Sequence, residues 1–185
     1  WDKIVDVNKC YLQADPSNEI RNAIKKFALK NKMEFYDSRA QQGFLRTLMI
    51  RNTLAGEVMV LIQFFEERKN EIELLLNYVR EQFPQVSALL YCINSKGNDS
   101  IYDQEIHCFS GKTYITEYLG DLQFRITAKS FYQTNPKQAG LLYAIAEDFA
   151  QLKPEDTVYD LYTGTGTIAL SLAKDCKKII GVESV

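Results

Sequence analysis

The sequence predicts an α/β chain in two parts: an α+β module of helices and an antiparallel sheet over residues 1–127, and the opening strands of a parallel α/β sheet over 128–185. Three observations lead there. Val158-Tyr159-Asp160-Leu161-Tyr162-Thr163-Gly164-Thr165-Gly166-Thr167 reads as a strand, a glycine turn and the start of a helix, and Ile179-Ile180-Gly181-Val182-Glu183 reads as a second strand ending on an acid. Between residues 87 and 127 the apolar runs are instead short and separated by Gly and Asp turns, which is the grammar of antiparallel strands.

Taken in order, residues 4–8 alternate weakly, as a short strand would. Asp15-Pro16 supplies an N-cap and a first-turn proline, and Ile20, Ala23, Ile24, Phe27 and Ala28 share one helical face, so a helix is predicted over 16–31. Residues 44–51 and 57–65 are rich in strand formers and flank a polar turn, which predicts a hairpin. Ile72, Leu75, Leu76, Val79 and Phe83 form one apolar stripe ended by Pro84, a second helix. Strands follow at 88–94, 105–109, 113–118 and 122–127. Asn135-Pro136 then opens a helix whose inner face is read as Ala139, Leu142, Tyr143, Ala146, Phe149 and Ala150. A buried strand (157–161), a helix (167–174) and a strand (178–183) close the chain, an order with short connections that predicts parallel pairing.

Composition narrows the class. With 185 residues, 46% hydrophobic and 25% charged, the chain is an ordinary globular one of one or two domains. The first residue is Trp1, and no basic segment leads into an apolar core, so neither a signal peptide nor a membrane span is expected. The unfinished parallel sheet predicts further strands beyond Val185, and hence a piece of a longer protein. Cys10, Cys92, Cys108 and Cys176 are far apart and form no Cys-x-x-Cys pair, which argues against a metal site or a disulfide framework. A reducing cytoplasm and small, buried thiols are the expectation. Net charge is −2, so an RNA partner would need a local patch rather than an overall basic excess. Lys25, Lys26, Lys30, Lys32, Arg39, Arg46 and Arg51 supply either such a patch or ordinary solvated helix faces.

Gly164-Thr165-Gly166-Thr167-Ile168-Ala169 fits the G-x-G-x-x-G/A template, and Glu183 lies 17 residues past Gly166 at a strand tip. Glycine lets the backbone approach a ligand closely, and the carboxylate can accept both ribose hydroxyl hydrogens. Asp160 bears on the ligand's charge. A carboxylate four residues before the first glycine repels a pyrophosphate and favours a cationic sulfonium cofactor, S-adenosylmethionine; equally, Asp160 reads as a cap on the following turn. Phe131 and Gln133 offer an unstacked nucleobase a ring face and an amide edge, with Arg125 and Lys129 upstream for phosphate, unless the aromatics simply staple the helix.

Lys129-Ser130-Phe131-Tyr132-Gln133-Thr134-Asn135, Asp160-Leu161-Tyr162-Thr163-Gly164-Thr165-Gly166-Thr167 and Gly181-Val182-Glu183 together resemble the RNA uracil-5-methyltransferase family, most closely its 23S ribosomal RNA branch. Residues 44–58 and 94–106 resemble that family's central domain. The resemblance implies a Rossmann-like class I methyltransferase fold from residue 128, of which the first two parallel strands are present, behind an RNA-binding central domain. It implies S-adenosylmethionine contacts at Gln133, Tyr162, Thr167 and Glu183, with Asp160, Gly164 and Gly166 building the loop, and uracil contacts at Phe131 and Gln133. Tyr162 and Thr167 depart from members carrying Phe and Asn there. Cys10 resembles the last ligand of an iron–sulfur cluster of some members, although Tyr11 stands where proline often follows; the other ligands would precede Trp1, so a cluster is expected in the full-length protein at most.

The same resemblance implies transfer to carbon 5 of uridine, in ribosomal rather than transfer RNA, through a cysteine thiolate that adds to carbon 6 and a base that removes the carbon-5 proton. Both lie C-terminal to this segment in family members, none of the four cysteines matches that nucleophile, and no catalytic residue is assigned here. The 185 residues alone are accordingly expected to be inactive. A transfer RNA enzyme, a nicotinamide-dependent oxidoreductase and a non-catalytic RNA-binding module are the other classes these residues admit.

Overall fold

Helix α1 (Ser17–Lys30) forms where the apolar stripe lies, burying Ile20, Ile24 and Ala28 while Ala23 and Phe27 pack alongside. The structure is a computed structural model that describes residues 5–184. The chain is mixed α/β and divides into two compact units, residues 1–115 and 116–185.

In the first unit, strands β1 (Leu45–Asn52), β2 (Val58–Phe64), β3 (Val86–Ile93) and β4 (His107–Gly111) form one sheet in that order, with helix α2 (Lys69–Gln82) between β2 and β3. All seven residues of β2 are buried. Val58, Val60, Ile62 and Phe64 join the core built with α1 and α2, to which α2 gives Ile72, Leu75, Leu76 and Val79. Gln63 on the alternate face is buried too, and the Asn94 amide donates to its Oε1 at 3.1 Å. Such pairing is what makes a buried amide tolerable.

The antiparallel expectation for this sheet is corrected at one pair. β2 runs parallel to β3, in register from Met59↔Ala88 to Phe64↔Ile93. Strand, helix and strand with short connections is a βαβ unit, and the nearly continuous apolar run of β2 suits a strand covered on both faces.

Two expectations at the start of the chain also give way. Ile4 lies outside the described residues, and residues 5–8 are exposed and form no strand. The side chains of α1 take their backbone carbonyls instead: Arg21 donates to Val7 O and Asn8 O, and Asn22 to Asn8 O at 2.8 Å. Asp15 is not the cap either. Pro16 occupies that position without a side-chain cap, and the Ser17 amide turns back to Ala14 O at 3.1 Å. The basic group is split as well, because Arg46 donates to the carbonyls of Asn94, Lys96 and Asn98 at 2.6–2.7 Å and lies 4.6 Å over the Tyr36 ring, while Lys25 pairs with Asp6.

Gly111, at the end of β4, has φ +81°, and a Cβ there would fall 2.2 Å from Ser87 O. Gly111→Ala is therefore expected to cost about 2–4 kcal/mol, strain plus a backbone clash, read as a lower urea midpoint. Gly56→Ala, at φ +85° with nothing within 4 Å, is expected to cost about 1 kcal/mol.

β5 (Tyr114–Leu119), whose first two residues belong to the first unit, pairs with β6 (Leu122–Thr127). Helix α3 (Pro136–Ala150) opens as the sequence predicts, with Asn135 Oδ1 accepting from the Gln138 amide at 3.2 Å and Pro136 in the first turn. Then come β7 (Thr157–Leu161), α4 (Thr167–Leu172) and β8 (Lys178–Val182), with β7 and β8 parallel from Thr157↔Lys178 to Leu161↔Val182. The predicted inner face of α3 is only partly realised. Ala139 and Tyr143 are buried, whereas Leu142 and Phe149 are exposed, as are Leu141 and Ile145. β7 is likewise not a buried strand, since Tyr159 and Leu161 are exposed. Apolar patterning marks which faces of a helix or strand can be covered, and not whether the same stretch of chain covers them. Among the described residues, no helix is long and apolar enough to cross a membrane.

Candidate functional site

The carboxyl end of β7 sets the geometry of the site. Tyr162, directly after the strand, takes φ +65°, followed by Gly164 at +54° and Gly166 at +76°. Glycine adopts such angles without strain; tyrosine does so at a cost of about 1–3 kcal/mol, which the surrounding contacts must offset. Those contacts are local and numerous. Thr163 N donates to Val182 O at 3.0 Å, Gly166 N to Thr163 O at 2.8 Å, and the Thr163 side chain fills the space where Gly181 lacks a Cβ.

Asp160 is the centre of this turn. Its Oδ2 accepts from Thr163 Oγ1 at 2.8 Å and from the Ala169 amide, in the first turn of α4, at 3.2 Å. Of the two roles the sequence left open, the capping one is realised: a carboxylate satisfies an otherwise unpaired helical amide.

Glu183, just past β8, reaches back across the turn. Its Oε2 accepts from the Gly164 amide at 2.7 Å and its Oε1 from the Ser184 amide at 2.8 Å. Both Gly164 and Glu183 are exposed, and a Cβ built at Gly164 meets nothing within 4 Å. An open backbone bend thus lies beside an accessible carboxylate. Thr167 is less available, since its Oγ1 lies 3.1 Å from the Tyr143 hydroxyl of α3.

The carbonyl of Phe131 comes to the same turn. Thr165 Oγ1 donates to Phe131 O at 3.4 Å, a long bond that nonetheless joins the aromatic segment to the glycine turn. Phe131 is 69% exposed, Gln133 is half-buried, and Tyr132 between them packs its ring 5.9 Å from that of Phe124. Burial raises the Tyr132 hydroxyl to about 12, assisted by Glu117 and then Tyr143. Gln133, Tyr162, Thr167, Glu183, Asp160, Gly164, Gly166 and Phe131 therefore all belong to one unit of the chain. Thr165 is a participant that the sequence pattern missed, because a threonine inside a glycine motif reads as filler.

Among the described residues, no group of three or more His, Cys, Asp or Glu side chains could hold a metal ion. The cysteines are free thiols, and only Cys92 is buried; Cys108 is exposed at the end of the sheet, contrary to the expectation for each. The backbone of Cys10 is fixed by Asn18, whose Oδ1 accepts from Cys10 N at 2.7 Å and whose amide donates to Cys10 O at 3.0 Å.

No model of a protein family matches the chain. Along its whole length it is nevertheless similar to proteins described as RNA methyltransferases. It is 48% identical to an uncharacterized RNA methyltransferase of Porphyromonas gingivalis and 44% identical to one of Bacteroides thetaiotaomicron, with all of this chain covered and 40% and 41% of theirs. The chain spans about 40% of the length of the curated relatives it matches. Among solved structures, the tRNA (uracil-54, C5)-methyltransferase of Pyrococcus abyssi in complex with S-adenosyl-L-homocysteine matches with a TM-score of 0.79 at 27% identity, over 100% of this chain and 44% of that one.

Proposed function

We propose that this chain is part of an S-adenosylmethionine-dependent RNA methyltransferase that forms 5-methyluridine. In this reading β7 and β8 are the first two parallel strands of a Rossmann-like sheet, residues 128–185 open the methyltransferase domain, and residues 1–127 form a central domain that meets RNA. The observation that carries the reading is the contact of the glycine turn with the segment before α3, through Thr165 Oγ1 and Phe131 O. One rigid bend would then address both the cofactor and the base it modifies.

The residues fit that cofactor better than a dinucleotide. The bend is open at Gly164, its one strand-tip carboxylate is accessible at Glu183, and Asp160 already occupies the Ala169 amide that a phosphate would use. Bound there, S-adenosylmethionine supplies an electrophilic methyl group. Glu183 would accept from the ribose hydroxyls, Gly164 and Gly166 would let the backbone close on the nucleoside, and Tyr162 and Thr167 would flank it. Phe131 would lie against the uracil ring, and the Gln133 amide would donate and accept along its polar edge. The nucleophile and base belong to the part of the protein outside this chain. The similarity in structure to a tRNA uracil-54 enzyme supports the carbon-5 reaction, while the sequence resemblance favours a ribosomal acceptor.

The test uses the complete protein with labelled S-adenosylmethionine and separate 23S ribosomal and transfer RNA transcripts. Uridine tritiated at carbon 5 releases tritium when that position is substituted, and the 5-methyluridine product distinguishes substitution from simple exchange with solvent. Tritium release with 5-methyluridine in either RNA supports the reading, and its absence from both refutes it. Gln133→Ala is expected to lower the single-turnover rate by about 10–100-fold, the worth of one or two buried hydrogen bonds, with an unchanged melting temperature.

A further inference from the structure

We propose that Tyr143 is a positioning residue whose hydroxyl donates to Thr167 Oγ1, leaving the Thr167 hydrogen free to be donated to the carboxylate at the amino-acid end of the cofactor. This role rests on the function proposed above, in which S-adenosylmethionine lies against the glycine turn.

α3 buries Ala139 and Tyr143, the latter 7% exposed. A phenol buried this far needs a partner for its hydroxyl, and Tyr143 has one 3.1 Å away at Thr167, the first residue of α4. That end of α4 has little support of its own. Its N-cap is Gly166, at φ +76°, which has no side chain to cap the helix, and Gly164 before it adds a second flexible position. Two side chains from neighbouring elements hold the first turn instead: Asp160 of β7, which accepts from the Ala169 amide at 3.2 Å, and Tyr143 of α3.

Each hydroxyl of the pair has a single hydrogen to donate, and the phenol, being the more acidic, is the better donor. With Tyr143 donating, Thr167 accepts towards α3 and donates elsewhere. Among the described residues, Tyr143 is the one partner of the Thr167 hydroxyl, since Ser171 donates to the Thr167 carbonyl at 2.7 Å. Charge then sorts the ends of the ligand. Glu183 holds the Gly164 end of the turn at 2.7 Å and repels a second carboxylate, so the amino-acid end is directed to the Thr167 end. There a hydroxyl donor suits the cofactor's anionic acceptor, and the ammonium on the same carbon offsets the charge of Asp160.

The experiment measures binding of S-adenosyl-L-homocysteine and of 5′-methylthioadenosine, which has the same nucleoside but lacks the amino-acid end, to the complete protein. Tyr143→Phe keeps the ring and its packing and removes the hydroxyl; Thr167→Val does the same for the threonine. Tyr143→Phe is expected to weaken S-adenosylhomocysteine binding by about 3–10-fold, the worth of one hydrogen bond, and to leave methylthioadenosine within about twofold. Thr167→Val should weaken S-adenosylhomocysteine at least as much, and adding Tyr143→Phe to it should cost no more than about twofold further. Glu147→Gln, which breaks the exposed tie from α3 to Lys174 at 3.0 Å, is the control and should change neither affinity. Equal loss of both ligands in Tyr143→Phe, unchanged binding of both, or losses that multiply in the double variant would overturn the role of Tyr143 and leave the cofactor reading standing. Wild-type protein that binds neither ligand refutes the cofactor reading, and this role falls with it.

Discussion

Glu183→Ala in the complete protein is expected to weaken S-adenosylmethionine binding by about 10–100-fold, corresponding to the ~1.5–3 kcal/mol of hydrogen bonds to a charged group. Two effects combine in that figure. The variant removes the acceptor for the ribose hydroxyls, and it removes the oxygen that holds the Gly164 amide at 2.7 Å. Glu183→Gln separates them, because its carbonyl can still accept from Gly164 while the charge is gone. Isothermal titration of both variants should place Gln between wild type and Ala. Binding by Glu183→Ala at wild-type strength would remove Glu183 from the cofactor site.

The largest loss of stability is expected at Phe64→Ala, about 3–5 kcal/mol in the free energy of unfolding. Phe64 is fully buried, stacks on Phe44 with ring centroids 4.9 Å apart, and meets the edge of Tyr91 at 6.3 Å. Its carbonyl also accepts from Asn94 N at 2.8 Å, so the strand end cannot collapse freely into the space left behind. Urea unfolding followed by tryptophan and tyrosine emission measures the change. Leu74→Ala on α2, where the side chain is 48% exposed, is the matched control and should shift the midpoint little.

Much of the fold is legible because its signals are local. The stripe on α2, the hairpin of β1 and β2, and the Asn135-Pro136 opening of α3 each depend on residues within a turn or two of one another. The parallel pairing of β2 with β3 is legible in principle, since strand, helix and short connections are all present; the many turns downstream point instead towards an antiparallel sheet. For residues 5–8 the weak alternation carries no information about the neighbour, which is a helix whose Arg21 and Asn22 side chains take those carbonyls.

In the candidate site, the glycine turn and its acid can be read from spacing alone, since Gly164 needs its positive φ and Glu183 ends the next strand. Two things cannot. The choice of Asp160 to cap Ala169 depends on the exact path of the bend, and the burial of Glu117 depends on which side of a hairpin the rest of the unit covers. A single sequence gives acids on strands no sign of which face they take.

The uneven distribution of buried side chains has a thermodynamic corollary. β2 is enclosed along its whole length, whereas of β7, α4 and β8 only Ala169 and Leu172 are buried. Local opening follows the density of such enclosure, so the protons on the amides of β7 and β8 should be lost to deuterated solvent well before those of β2. Whatever covers these strands, a ligand or a further stretch of chain, would then contribute most of their rigidity.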